Sequence, residues 1–368
     1  MPKYVNVNGV WKQEGAGYVN VGGVWKAKSD EYVNVGGVWK PLLQSGDTVE
    51  TFSITHDSNL NITNAFVVAN KYLYMVSDSN ALSGFAKLDL STKKIIQTVT
   101  LDETNSTTTW SASETSSTDA ILVSDRYNRY MKRWLNGSLQ WTKSSSVYNQ
   151  GYRAYVVNDG TDYIGAVYYQ DEDEELYKFK IFDSSGNETA SVSSSNPRCA
   201  RMGVDANGRI VFADYYTVVY LNKSGGYTDG DEIWRNGQES GGIGNYLPLS
   251  NGVDVFVGYT YDGRYGIGYC LKNDFANRDY FTKYSYISGT YKIHRAIGND
   301  IIVSFYKSKT ITLYRMTITN SNGTAAGIKL TVKYEKTFSN SMCAGVGSEY
   351  AYIVSTGTGT RTITKVKL

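Results

Sequence analysis

A turn dipeptide followed by a run of β-forming residues recurs seven times along this chain. That rhythm limits what the chain can fold into more than any other feature. Asn70-Lys71 precedes Tyr72 to Val76, and Thr118-Asp119 precedes Ala120 to Val123. Thr161-Asp162, Asn207-Gly208, Asn251-Gly252, Asn299-Asp300 and Ser348-Glu349 introduce five more runs. Successive dipeptides lie 48, 43, 46, 44, 48 and 49 residues apart. A period of about 40–50 residues with several short strands per unit is the pattern of a β-propeller, one four-stranded blade per period. Each dipeptide would join a blade's innermost strand to its second strand.

Innermost strands are expected at 65–69, 153–157, 200–204, 246–249, 294–297 and 344–346, with a weaker one near 109–113. Third strands are expected at 84–90, 176–182 and 310–317, and outer strands at 95–101, 139–143, 232–235 and 332–338. The last period supplies only three strands. A strand at 48–54 is available to pair with it, which would close the ring and leave no open edge where its ends meet. The expected fold is all-β: a seven-bladed propeller over 46–368, closed by strand 48–54. A β-sandwich or two stacked sheets is the rival arrangement. Composition agrees with an all-β chain, with 32 Tyr, 4 Pro and almost no stretch of helical periodicity.

A second, sharper repeat occupies residues 1–45. Tyr4 to Lys12 returns as Tyr18 to Lys26 and as Tyr32 to Lys40, a period of 14 residues. Asn8-Gly9, Gly22-Gly23 and Gly36-Gly37 supply the positive φ angles of type I′ turns, so each copy is expected to be a short β-hairpin. Val7 would face Val10, Asn6 would face Trp11, and Val5 would face Lys12. An isolated hairpin is marginal in water. Burying an aromatic ring is worth at most roughly 4–6 kcal/mol, from about 150–250 Å² at about 25 cal/mol/Å². Tyr4, Trp11, Tyr18, Trp25, Tyr32 and Trp39 are therefore expected to anchor the chain on a partner, or to stack as a small sheet.

Charge removes other classes. With 37 basic and 35 acidic residues the net charge is +2, too balanced for electrostatic binding of nucleic acid. No apolar run approaches the ~20 residues of a membrane span, so no insertion is expected. Met1-Pro2-Lys3-Tyr4 leads straight into the first repeat without an apolar leader. Synthesis in a host cytoplasm without a signal peptide is the expectation. Cys199, Cys270 and Cys343 are odd in number and widely spaced, which suits small buried apolar residues rather than disulfides or zinc.

Signals for chemistry are few. There are two histidines, His56 and His294, and no Gly-x-Ser-x-Gly elbow. The acidic run Asp171 to Glu175 lacks the interleaved Gly and Asn of a calcium loop and reads as a solvated tip. Gly357-Thr358-Gly359 precedes no helix, so it is not a phosphate cradle. The Asp-box of sialidase propellers is absent. No catalytic residue, metal or cofactor is assigned, and the chain is not expected to be an enzyme. What remains is a concentration of aromatics on one propeller face. Tyr127, Tyr168, Tyr169, Tyr215, Tyr216, Tyr259 and Tyr261 fall in loops there. Arg153, Arg201, His294 and Arg295 fall at expected starts of innermost strands, near the channel mouth. Aromatic rings stack on sugars and Arg forks fit carboxylates and phosphates, so these residues form the candidate ligand site.

The Tyr-Val-Asn-Val-Gly-Gly-Val-Trp-Lys units resemble short repeats in structural proteins of tailed bacteriophages and related tail-derived particles, over about 40 residues. The rest resembles, in architecture only, propeller modules of some phage receptor-binding and tail-fibre proteins. The coiled-coil or triple-β stems common in such fibres are missing here. The resemblance implies a virion protein of the tail or baseplate, present in several copies. It would be attached to other virion proteins through residues 1–45 and bind host surface polysaccharide through the propeller. A decoration or spacer protein, and a polysaccharide-degrading enzyme, are the alternatives.

Overall fold

The computed structural model describes residues 44–368 except 57–59, 79–82, 102–107, 126–129, 145–151, 159–160, 170–176, 195–200, 205–207, 214–217, 223–226, 229–242, 260–264, 272–278, 282–288 and 356–358. In six short N-terminal strands, and at some strand ends bordering those gaps, the backbone alone is described.

Seven four-stranded antiparallel sheets form the propeller, six of them with their strands in sequential order from the innermost outward. Blade 1 runs Asn64–Val68, Tyr72–Asp78, Ser83–Asp89, Lys94–Leu101. Blade 2 runs Thr108–Ser111, Ala120–Asp125, Tyr130–Leu135, Ser138–Ser144. Blade 3 runs Tyr152–Asn158, Asp162–Tyr169, Tyr177–Phe182, Glu188–Ser194. Blade 4 runs Arg201–Val204, Ile210–Ala213, Val218–Leu221, Tyr227–Thr228. Blade 5 runs Ile243–Pro248, Val253–Tyr259, Tyr265–Leu271, Asp279–Tyr280. Blade 6 runs Thr290–Ile297, Asp300–Lys307, Thr310–Asn320, Ile328–Ser339. Blade 7 takes Ser341–Val346, Tyr350–Ser355 and Thr360–Lys367 from the C-terminal end and Thr48–Thr55 from the N-terminal side. The closing ladder aligns Thr360 with Thr55 and Ile363 with Phe52, which matches the closure expected from sequence.

Each blade interface has its own apolar core, and strand alternation explains how one strand serves two of them. Leu73 and Met75 face blade 7, whereas Tyr74 and Val76 face blade 2. In blade 6, Ile301 and Val303 face blade 5 while Ile302 faces blade 7. Successive side chains point to opposite sides of a strand. A second strand buried on both sides therefore reads as an unbroken apolar run, which is why these runs stood out in the sequence. Outer strands keep one wet side, as in Ile328–Ser339, where exposed and half-buried residues alternate.

Several boundaries differ from expectation. The innermost strands of blades 5, 6 and 7 begin at Ile243, Thr290 and Ser341, three or four residues before 246, 294 and 344. Their first turns carry residues such as Thr290 and Lys292, whose polarity disguised them as loop. The third strand expected at 310–317 continues to Asn320. The outer strand expected at 232–235 lies outside the described residues.

Between residues 4 and 41 the backbone forms three separate two-stranded antiparallel pairs: Tyr4–Val7 with Val10–Gln13, Tyr18–Val21 with Val24–Ala27, and Tyr32–Val35 with Val38–Pro41. Val7 aligns with Val10, Asn6 with Trp11 and Val5 with Lys12. The side chains of Tyr4, Trp11, Tyr18, Trp25, Tyr32 and Trp39 lie outside the described residues.

Candidate functional site in the central channel

The innermost strands of blades 1 to 6 surround a central cavity of ≈ 570 Å³. Five aromatic residues are among its lining: Phe66, Trp110, Tyr155, Tyr246 and Tyr291, four of them largely buried in the blade interfaces. Trp110 is fixed from behind: its indole N–H donates to the Ser77 carbonyl at 2.9 Å, and its ring meets Phe85 edge-on. Gly203 lets the Tyr246 ring cross blade 4, because a Cβ there would lie 2.6 Å from Tyr246 Cδ1. Asn64, Ser111, Ser113, Thr115 and Thr290 add hydroxyls and an amide to the wall.

The connection between the first two strands of blade 2 closes one end. It is eight residues long, 112–119, and carries Glu114 across the channel. Glu114 Oε2 accepts from His294 Nδ1 in blade 6 at 2.8 Å, and Oε1 accepts from the Val346 N–H in blade 7 at 2.8 Å. The connection is held at its other end too. Ser116 donates to Asp162 of blade 3 at 3.0 Å. Asp119 binds Lys87 Nζ at 2.5 Å and the Tyr74 hydroxyl at 2.7 Å in blade 1. One short segment of blade 2 thus touches blades 1, 3, 6 and 7.

A β-bulge supplies the facing residues. In blade 6 the register passes from Ile293↔Val303 directly to Arg295↔Ile302, leaving His294 as the extra residue. A bulge of this kind re-aims side chains. Ile293 faces the blade 5 side with Val303, but Arg295 now shares the blade 7 side with Ile302. Lys292, His294 and Arg295 therefore converge on Glu114. Arg295 Nη1 lies 3.5 Å from the Glu114 carbonyl, and its buried Nε has no hydrogen-bond acceptor.

Burial alone would raise the pKa of Glu114. Lys292, His294 and the two hydrogen bonds more than offset it, so the carboxyl ionises below its ordinary range. Burial lowers the pKa of His294 and Lys292 opposes its protonation, which together outweigh the attraction of Glu114. The pair sits at ion-pair distance, but the imidazole is neutral at neutral pH. We assign the proton to Nδ1, facing Glu114, and have the Ser304 hydroxyl donate to Nε2 at 2.9 Å.

Glu114, His294 and Ser304 thus stand in the order of orienting acid, base and hydroxyl found in nucleophilic sites. Ser304 is 8% exposed and does not line the cavity, whereas His294 does. The hydroxyl lies away from the space a ligand would occupy, so the chain of bonds braces the floor.

Of the residues expected at the ligand site, two have described side chains. His294 lines the cavity but spends both ring nitrogens on Glu114 and Ser304. Arg295 does not line it. Neither sits at a strand start near the mouth, because the strand begins at Thr290. Arg153 and Arg201 do fall at the beginnings of innermost strands, in backbone position. Their side chains, with those of Tyr168, Tyr169 and Tyr259, lie outside the described residues, as do Tyr127, Tyr215, Tyr216 and Tyr261 altogether. Sequence reading missed Glu114, Lys292 and Tyr155. Cys270 and Cys343 are buried, as expected for small apolar residues. Among the described residues, no His, Cys, Asp and Glu cluster could hold a metal ion, and no helix is long and apolar enough to cross a membrane.

No protein-family model and no curated protein matches the chain. Solved propellers do match in shape. Kuenenia stuttgartiensis hydrazine synthase aligns with a TM-score of 0.58 at 8% identity, over 86% of this chain and 97% of that one. The Myceliophteria thermophila Cps50 (Swd1) β-propeller domain aligns at 0.50 and 11% identity, over 85% and 99%. The WD40 β-propeller domain of Doa1 aligns at 0.50 and 10% identity, over 86% and 96%. At such identities the likeness concerns the fold alone.

Proposed function

We propose that this chain is a virion attachment protein: residues 1–45 fasten it to a tail or baseplate, and the propeller binds host surface glycan. The observation that carries the binding half is the ≈ 570 Å³ channel cavity, of ligand-pocket size, with five aromatic residues and several hydroxyl-bearing ones in its lining. Aromatic faces take the apolar faces of sugar rings, and hydroxyls take their edges. The three N-terminal repeats, with their resemblance to phage structural repeats, support the attachment half. A spacer role leaves that cavity unexplained, and catalysis is disfavoured by Ser304 lying off the cavity wall. The full chain, applied to arrayed cell-wall and capsular polysaccharides, is expected to be retained on a subset of them; retention on none overturns the binding half. A chain lacking residues 1–45 is expected to be missing from assembled particles. Undiminished incorporation would sink the attachment half.

A further inference from the structure

We propose that the channel cavity selects acidic sugars, those bearing a carboxylate or phosphate, with Lys292 as the anion contact; this rests on the glycan-binding reading above. Among the described residues, two ionised side chains line the cavity, Glu114 and Lys292. They differ in what they have left to offer. Glu114 accepts on both oxygens, from His294 and from the Val346 N–H, so a cationic ligand finds that carboxylate occupied. Lys292 donates to one carbonyl, that of Ala65, at 3.3 Å, and its Nζ lies 4.3 Å from the centre of the Phe66 ring. Among the described residues it has no carboxylate within ion-pair distance. Two of its N–H groups remain for a ligand.

Charge points the same way. Around the floor, one carboxylate (Glu114) meets two cations, Lys292 and Arg295, while His294 is neutral. Among the described residues the excess is one positive charge in a partly buried space, where an ion is stabilised by a counter-charge. An anionic group on a ligand held in the cavity would supply it. A hydrogen bond between charged partners is roughly twice as strong as a neutral one, so the anion contact is expected to dominate selectivity.

The test is calorimetric titration of the full chain with galacturonic acid and N-acetylneuraminic acid, each beside its methyl ester, and with glucose 6-phosphate beside glucose. The acid or phosphate form should bind on the order of 10-fold tighter than its neutral partner. Lys292→Met should abolish that preference, and Lys292→Arg should retain it. The pair showing the preference tells carboxylate from phosphate. Equal affinity within every pair, or a preference that survives Lys292→Met, overturns the inference and leaves glycan binding standing. Retention on none of the arrayed polysaccharides removes the reading on which it rests.

Discussion

Glu114→Ala is expected to lose about 3–5 kcal/mol of folding stability, the usual effect of removing one partner from a buried charged network. The change strips the acceptor from the Val346 N–H and from His294 Nδ1, both buried. It also removes the carboxylate whose charge acts on both Lys292 and Arg295. A melting temperature lower by about 6–20 °C should follow, at about 2–4 °C per kcal/mol for large domains. Glu114→Gln keeps one acceptor oxygen and should lose less. A Glu114→Ala melt within 1 °C of wild type would show that the channel floor is not held by this side chain. The same network gives a pH dependence. His294 and Glu114 both have folded pKa values below their ordinary 6.5 and 4.5. The unfolded chain therefore binds more protons in acid, and stability is present above those values and lost as pH falls through the folded ones. Wild-type melting temperature should drop between pH 7.5 and pH 5.5, and drop further below about pH 4.5. A flat profile would contradict the neutral imidazole.

Phe85→Ala should lose about 3–5 kcal/mol as well, through a different mechanism: a cavity at the interface of blades 1 and 2. Phe85 is fully buried, with ring centroids 5.3 Å from Tyr74, 5.9 Å from Trp110 and 5.7 Å from Trp134. Edge-to-face pairs of this kind add about 0.5–1.5 kcal/mol beyond the area they bury. The variant is also expected to weaken glycan binding, because Trp110 packs on Phe85 behind and forms the cavity wall in front. Ile96→Ala, in the same blade but 52% exposed, should stay within about 0.5 kcal/mol of wild type. Equal melting curves for the two variants would remove the aromatic cluster from the account of what holds these blades together.

The parts of the fold that were legible in the sequence are those written in local chemistry. Asn136 and Gly137 both adopt positive φ, 51° and 81°, as a type I′ turn requires. Runs such as Ile301-Ile302-Val303 announce strands buried on both faces. The site was much less legible. Glu114 sits in Ser113-Glu114-Thr115-Ser116-Ser117, which reads as surface loop, and its partners are 180 and 232 residues away. One local signal was available. In Tyr291-Lys-Ile-His-Arg-Ala-Ile297 the alternation slips by one at His294-Arg295, where two polar residues follow each other, and that slip is the bulge. Alternation predicts faces only while the register is unbroken, so Arg295 was assigned no partner across the channel.

The closing ladder of blade 7 also fixes an order of events during synthesis. Thr55 and Thr360, aligned neighbours in that ladder, are 305 residues apart. At about 5–20 residues per second a ribosome needs about 15–60 s to span that distance. Throughout that interval Thr48–Thr55 has left the ribosome without its ladder partner, and six blades are made before the ring can shut. A messenger cut short between the codons for Thr55 and Thr360 therefore yields a chain with an unpaired edge strand, the kind of edge that recruits other chains.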